Sequence, residues 1–508
     1  MKIFSFSSGA HDSSYAIYDG NKIISHDELE RHTRIKECDG DILEFYSKIG
    51  SLDDFDIITT FPHGNGKWYP KGFGDIDKDK FIEVGHHQSH AANAFFSSNL
   101  DSALIVTIDG GGWDRVDGNL IPSTITIWRG DGTKITNIGY SNTVNLGMTW
   151  QDVTRNVFGM SGGGPPYGCQ AGTVMAMAAL GDHNSFPELN MINMFAGRIN
   201  FANYTNLSEQ DKFNFAAVLQ KHTEEYIVHL IDMYLKPEDK NLCLAGGTVL
   251  NSVMTGKLWD RFTSIENIYI PPVPYDAGLA LGNIQYIVHH MNNKPRERYI
   301  DNITPYLGKT YSKREVDRAL DKYSEIKCTI VDDERVIDLL INQNIVSVFN
   351  EGSESGRRAL GNRSILADPR SDKMKDLINE KVKHRQSFRP FAPSILREKV
   401  TDWFVRDVDS PYMQFVIKFK EDKKKEVPAV VHFDGTARLQ TVTENDNKWY
   451  YNFIKKFENR TKVPILLNTS FNDREPIVET PEHAINCFLK TNIDYLYFSQ
   501  FNILVSKK

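Results

Sequence analysis

The 508-residue sequence has five cysteines, Cys38, Cys169, Cys243, Cys328 and Cys487, and none of them stands in a CxxC pair. An odd, scattered set of thiols excludes a disulfide framework and matches the usage of a reducing compartment. No apolar run approaches the roughly 18 residues of a membrane helix. The start, MKIFSFSSGAHDSS, is interrupted by Ser, His and Asp before a signal-peptide core could form. These absences lead to the expectation of a soluble, cytoplasmic protein with no membrane partner. Positive charge is also in short supply. A formal net charge of -7 gives no global attraction to a phosphate backbone, which argues against a nucleic-acid coat but not against a local basic cleft.

What is present is the apolar and charged content of an ordinary globular chain, too long for one core. Two large domains are expected, with a boundary in the polar, Pro-containing stretch near Arg296 to Thr304. The stretch around which the first half is organised is Gly85 to Ser98, GHHQSHAANAFFSS. It places His86 and His90 four residues apart at the mouth of an expected helix, hence on one face. Two such imidazoles can share a divalent metal while leaving positions for an acid ligand. HxxxH alone is equally the mark of an Ala-rich helix carrying hydrogen-bonded histidines.

Strands are expected at 2–7, 15–18 and 22–25, the first two joined by SSGAHDSS, whose Ser, Gly and Asp tip can aim N–H groups and hydroxyls at a phosphate. HDELERHTRIK reads as a solvated helical face. ALIVTIDGGGWD predicts a buried strand ending at Asp109-Gly110-Gly111, where backbone can approach a ligand. NLCLAGGTVLN predicts a strand, the Gly246-Gly247 turn and a helix opening at Thr248, and helix amino ends attract anions. Asp276 precedes a Gly/Ala helix and supplies the carboxylate that the two histidines lack. FGMSGGGPPYGCQAGTVMAMAALGD reads as a loop followed by a packed helix. In this order the glycine turns make the nucleotide cleft of the actin, sugar kinase and Hsp70 type of ATPase.

Beyond the boundary, SKREVDRALDKYSEI and VIDLLINQ read as amphipathic helices and NIVSVFNEG as a strand. The densest basic stretch follows, with Arg357, Arg358, Arg363, Arg370, Arg385 and Arg389 in a chain otherwise sparing of Arg. Guanidinium groups fork onto phosphate or carboxylate, so the cluster points to an anionic small ligand, set against a surface of ion pairs. Lys418 to Val427 reads as a solvated charge run, HFDGTARLQTV as a strand with Arg438, and VPILLNTSFNDREPIV as a buried strand ending near Ser470.

Together, GAHDSSYAIYDG, DELERHTRIK, GHHQSHAANAFF, IDGGG, AGGTVLN, ESGRRALGNRSILADPR, VKHRQSFRPFAPSIL, HFDGTARLQTV and LLNTSFNDREPIV resemble the ATP-dependent O-carbamoyltransferases of the nodulation and antibiotic-tailoring family. The likeness runs over nearly the full length in the family's order. It implies a mixed α/β chain: an ASKHA (actin/Hsp70-like) metal- and nucleotide-binding domain over 1–303, then a YrdC-like α/β domain over 304–508. It implies carbamoyl phosphate and ATP, with Mg, forming carbamoyl-adenylate in the second domain, and transfer to an acceptor hydroxyl in the first. The implied contacts to carbamoyl phosphate and ATP are Arg358, Lys383, Arg389, Arg438 and Ser470. Asp109, Gly110, Gly111, Gly246 and Gly247 belong to the nucleotide cleft. The implied ligands of one iron or zinc are His86, His90 and Asp276, with Asp109 as a fourth. His11 lies near the transferred group, as base or orienting group. Arg357 departs from the Pro of many members, and the segment after GGGP lacks the usual Glu-Tyr-Lys start.

Threonylcarbamoyl transfer to tRNA and a non-catalytic nucleotide sensor are competing readings; NTSFN and FRPFAP weigh against the first, and the intact metal positions against the second. The acceptor is open between a small-molecule hydroxyl, on a sugar or antibiotic, and the hydroxymethyl group of 5-hydroxymethylcytosine in DNA. The Lys, Asn and Ile-rich composition tilts the expectation towards the DNA base, and homo-oligomeric assembly stays open.

Overall fold

A computed structural model describes residues 1–8, 11–40, 49–62, 78–116, 119–160, 169–296 and 304–508. They form two compact units, Met1–Ile303 and Thr304–Lys508.

The first unit holds the same sheet twice. β1 (Ile3–Ser7), β2 (Ser14–Tyr18), β3 (Ile23–Glu28), β4 (Ile57–Thr60) and β5 (Phe81–Glu83) are ordered β3-β2-β1-β4-β5. β6 (Ser102–Val116), β7 (Asn119–Asp131), β8 (Lys134–Ser141), β9 (Asn241–Ala245) and β10 (Asn267–Tyr269) are ordered β10-β9-β6-β7-β8. In each, the first three strands form an antiparallel meander and the last two add in parallel to the first. A duplicated mixed sheet of this order is the ASKHA architecture. β6 does not end at Asp109. Its pairing with β7 breaks between Ile108 and Gly112 and resumes to Val116, so Asp-Gly-Gly forms a bulge inside a long hairpin.

The helix α1 (His86–Phe96) is buried nearly all round, as its Ala, Ser and Phe content allows. Gln88 Oε1 accepts from Gly85 N at 3.1 Å, and Asp114 Oδ1 from Gln88 N at 3.0 Å, satisfying amino-terminal donors. At the other end Arg296 donates to the carbonyls of Phe95, Ser98 and Leu100 at 2.6–2.9 Å. α1 packs against α2 (Leu279–Gln285) with no side chain between them at one point. A Cβ on Gly282 would stand 2.0 Å from the Ser89 carbonyl oxygen. GTVMAMAAL is helical over Ala171–Met177, while the Gly-rich 161–168 before it, Gly9 and Ala10 of the first hairpin, and 297–303 at the expected boundary lie outside the described residues.

The second unit has one mixed nine-stranded sheet. Its strands are β11 (Ile326–Ile330), β12 (Val346–Phe349), β13 (Arg363–Ala367), β14 (Ala392–Leu396), β15 (Phe415–Lys418), β16 (Thr436–Val442), β17 (Ile465–Ser470), β18 (Tyr495–Phe498) and β19 (Ile503–Lys507). Their order is β11-β19-β18-β12-β13-β17-β14-β16-β15. The expected helices form over Lys313–Leu320 and Asp333–Ile341, the first with a Ser312/Glu315 capping box.

HDELERHTRIK is not a solvated helix. His26 and Glu28 belong to β3, only Glu30–Thr33 is helical, and Glu28, Glu30 and Arg31 are buried. Burial holds the fully enclosed His26 at about 4, so the folded state keeps its ring neutral. The unfolded chain takes up that proton from about pH 6.5 downward and the folded chain does so only near 4, so stability falls as pH drops through that window. Between pH 6 and 5 this amounts to about 1 kcal/mol per pH unit. Denaturant titrations of His26→Gln should show a pH slope shallower by about that much. Gly282→Ala should cost about 3 kcal/mol, because backbone rather than a movable side chain blocks the new methyl group; a wild-type melting temperature would contradict this packing.

Candidate functional site

Four side chains from three parts of the first unit converge. α1 supplies His86 and His90, the β6 bulge supplies Asp109, and the turn before α2 supplies Asp276; one donor atom of each lies within 4.8 Å of all the others. His90 Nε2 is 3.1 Å from Asp109 Oδ2 and 3.5 Å from Asp276 Oδ1, and His86 Nε2 is 3.7 Å from Asp276 Oδ1. His86 Nε2, both ring nitrogens of His90 and Asp276 Oδ1 are buried with no hydrogen-bond partner. Buried polar atoms that face one another without bonding fit a shared ligand, and two imidazoles with two carboxylates are a donor set suited to a divalent transition metal.

The electrostatics follow from the crowding. Burial pushes His90 down, but Asp109 and Asp276 outweigh it and hold the imidazole at about 9. Burial would raise Asp109, yet His90 beside it leaves the carboxyl well below its usual value. Burial leaves His86 below its ordinary value. The carboxylates that hold a proton at His90 would equally attract a cation there.

Each donor has its own support. A Cβ on Gly112 would lie 2.3 Å from the His86 ring, so the glycine at which pairing resumes after the bulge makes room for that imidazole. His87 faces away from the cluster, bonded to Thr107 Oγ1 at 2.7 Å and the Ser123 carbonyl at 3.0 Å, and burial holds it at about 4. Asp109 Oδ2 accepts from Gly247 N at 2.8 Å and Oδ1 from Gly110 N, tying the bulge to the turn after β9. Gly246 takes φ +96°, and a Cβ there would meet the Ile108 carbonyl at 2.1 Å. Gly110 and Gly247 thus hold the Asp109 carboxylate, with Gly246 packed on the Ile108 carbonyl beside it. His11 Nδ1 is bonded to Asp12 Oδ2 at 2.9 Å and its Nε2 is 3.7 Å from Asp276 Oδ2. Asp12, then Asp276, raise its pKa, although 54% of the side chain is exposed and solvent screens the effect.

In the second unit, Arg438 on β16 lies among Arg358, Arg385 and Arg389; burial first, and then those three like charges, push it well below the ordinary guanidinium value. Burial also lowers Arg385, to about 9, with Arg389 adding to it. Among the described residues neither Arg389 nor Arg438 has a carboxylate in an ion pair, and Arg438 Nε is buried without a partner. Lys383 Nζ donates to Ser470 O at 2.6 Å, Asn472 Oδ1 at 2.7 Å and Asn472 O at 2.8 Å, with Ser470 Oγ at 3.4 Å. β14 lies between β16 and β17, and Arg389 precedes it, so Arg389, Arg438 and Ser470 share one end of the sheet.

Two members of the basic run stand apart. Arg363 is fully buried, bonded to the carbonyls of Asn350, Glu351 and Asn362 and stacked 3.6 Å from the Phe349 ring. Arg370 pairs with Asp368 through two nitrogens. Glu354, unremarked in the sequence, has one oxygen that accepts from Leu360 N and Asn362 N at 2.7 Å and Arg363 N at 3.1 Å, folding the loop that carries Arg358. Its signal was an acid just ahead of a glycine and arginine-rich turn. The charge run is self-paired, Lys423 with Glu426 and Lys424 with Glu421.

Residues 183–284 match the family model described as Carbamoyltransferase N-terminus, and 337–506 the one described as Carbamoyltransferase C-terminus. An uncharacterized protein of Synechocystis is 34% identical over 482 residues, covering 82% of this chain and 75% of that protein. Nodulation protein NolO of Bradyrhizobium diazoefficiens is 33% identical over 455 residues, covering 84% and 79%. Nodulation protein NolNO of Sinorhizobium fredii is 34% identical over 462 residues, but the chain spans only 65% of its length. Among solved structures, the activator of the 2-hydroxyisocaproyl-CoA dehydratase from Clostridium difficile with bound ADPNP is a remote likeness, at a TM-score of 0.36 and 15% identity over 56% of this chain and 94% of that one. With both models matched in order and relatives aligned along most of its length, the chain belongs to the carbamoyltransferase family.

Proposed function

We propose that the chain is an ATP-dependent O-carbamoyltransferase: residues 304–508 activate carbamoyl phosphate and residues 1–303 deliver the carbamoyl group to a hydroxyl. The observation that carries this is the cluster of Arg358, Arg385, Arg389 and Arg438, in which Arg389 and Arg438 lack a described carboxylate partner. Like charges packed together cost free energy, and a polyanion offsets that cost. Positive charge fixed in place before the reaction stabilises charge moved in phosphoryl and nucleotidyl transfer. Water cleaves carbamoyl phosphate to carbamate and phosphate, and a carbamate oxygen then attacks the α-phosphorus of ATP, expelling pyrophosphate and leaving carbamoyl-adenylate.

In this reading Arg358, Arg389 and Arg438 bind the anions, while Lys383 secures the turn that presents Ser470. His86, His90, Asp109 and Asp276 would hold an iron or zinc ion, whose chemistry is to polarise a carbamoyl oxygen or acidify an acceptor hydroxyl. His11, pinned by Asp12, orients that hydroxyl through Nε2. The glycine turns around Asp109 receive the nucleotide end. We place a small-molecule hydroxyl ahead of a DNA base, because Lys423 and Lys424 are already engaged with glutamates.

Arg438→Ala should lower carbamoyl-phosphate-dependent pyrophosphate release from ATP by about 10²-fold or more; wild-type release would remove the second unit from the reaction. His90→Ala should lose bound metal and acceptor transfer yet keep pyrophosphate release, and retention of both metal and transfer would dismiss the metal centre. Parallel incubations with sugar alcohols and with DNA containing 5-hydroxymethylcytosine, read by mass spectrometry for an added carbamoyl group, decide the acceptor class.

A further inference from the structure

Asp276 has neighbours on both sides that are anchored to the first sheet. Ser14 Oγ donates to the Ala277 carbonyl at 2.8 Å, and His26 Nε2 donates to the same oxygen at 2.9 Å. On the other side the Tyr275 hydroxyl donates to Glu28 Oε2 at 2.6 Å. Ser14 stands opposite Glu28 and Ala16 opposite His26 across β2 and β3, so Ser14, His26 and Glu28 share one face of the sheet. All three are buried, and fully buried Ala16 leaves the space between them for the incoming turn.

Both lone pairs of the Ala277 carbonyl are taken. The peptide unit that follows Ala277, one residue past Asp276, is therefore fixed in orientation, and the tyrosine before Asp276 is fixed through its ring. Asp276 keeps only its own side-chain torsions, which aim the carboxylate at His86 and His90. His26 is an uneconomical choice for a purely structural contact, because its Nδ1 is buried without a partner. What the ring contributes is one donor, Nε2–H, at this carbonyl.

We infer that Ser14 and His26 are positioning residues that set Asp276 in the donor cluster through the Ala277 carbonyl and so determine affinity for a divalent transition metal; this rests on the metal-centre reading above. Removing both donors leaves a buried carbonyl unsatisfied and lets the turn shift, and outer partners of ligands typically change metal affinity about 10–100-fold.

The test uses full-length protein, stripped of metal, with zinc(II) titrated against a chromophoric chelator. The Ser14→Ala/His26→Leu double variant should bind zinc about 10–100-fold more weakly. His26→Gln, whose amide N–H can replace the donor, should stay within about threefold of wild type. Pyrophosphate release and far-UV circular dichroism should be unchanged in both. Should the double variant fold poorly, Ser14→Ala alone carries the test, with a loss of about threefold or more expected. Wild-type zinc affinity in the Ser14→Ala/His26→Leu double variant, or in Ser14→Ala where that variant carries the test, alongside lost binding in His90→Ala, overturns the positioning role and leaves the metal centre standing. Wild-type affinity in His90→Ala overturns both.

Discussion

Two carboxylates and two imidazoles are withdrawn from water within a few ångströms of one another, and the first unit is built to bear that cost. Buried charge is tolerated where it is paired or where a ligand satisfies it. Here the histidines stand on a helix enclosed on all sides, Asp109 is stitched to two backbone amides, and Asp276 projects from a turn that cannot relax. The four donors come from three elements, each held by contacts of its own.

The close helix crossing at Gly282 follows from the same requirement. If α1 and α2 stood apart by the width of a methyl group, Asp276 would leave the reach of His90. Ser89 against Gly282 brings the two backbones together, and Gly278, just before α2, leaves room for the Asn93 side chain. The second unit solves the opposite problem. It gathers charges of one sign, with Glu354 holding the backbone of the loop that carries Arg358 and Asp368 pairing with Arg370.

Much of this was legible because local pattern and chemistry coincided. HxxxH at the start of an Ala-rich helix, glycines after apolar strands and clustered Arg each report a backbone or charge requirement of their own. Legibility failed where long-range contact decides. HDELERHTRIK carries enough charge to resemble a solvated face, yet Glu28 finds Tyr275 some 247 positions away and His26 finds Ala277 at 251. No window on the sequence contains both partners. Arg363 and Arg370 are the same residue type as Arg389 and Arg438, and only tertiary placement separates a guanidinium that braces the core from one that has no carboxylate among the described residues.

The duplicated sheet has a mechanical consequence. His86, His90 and Asp109 travel with the second copy, through α1 and the β6 bulge, whereas Asp276 and His11 are tied to the first. Any occupant of the cluster is thus a rivet through two lobes. A ligand bound by all four donors would tie the two copies of the sheet together beside the point where Ser89 and Gly282 already bring their helices into backbone contact.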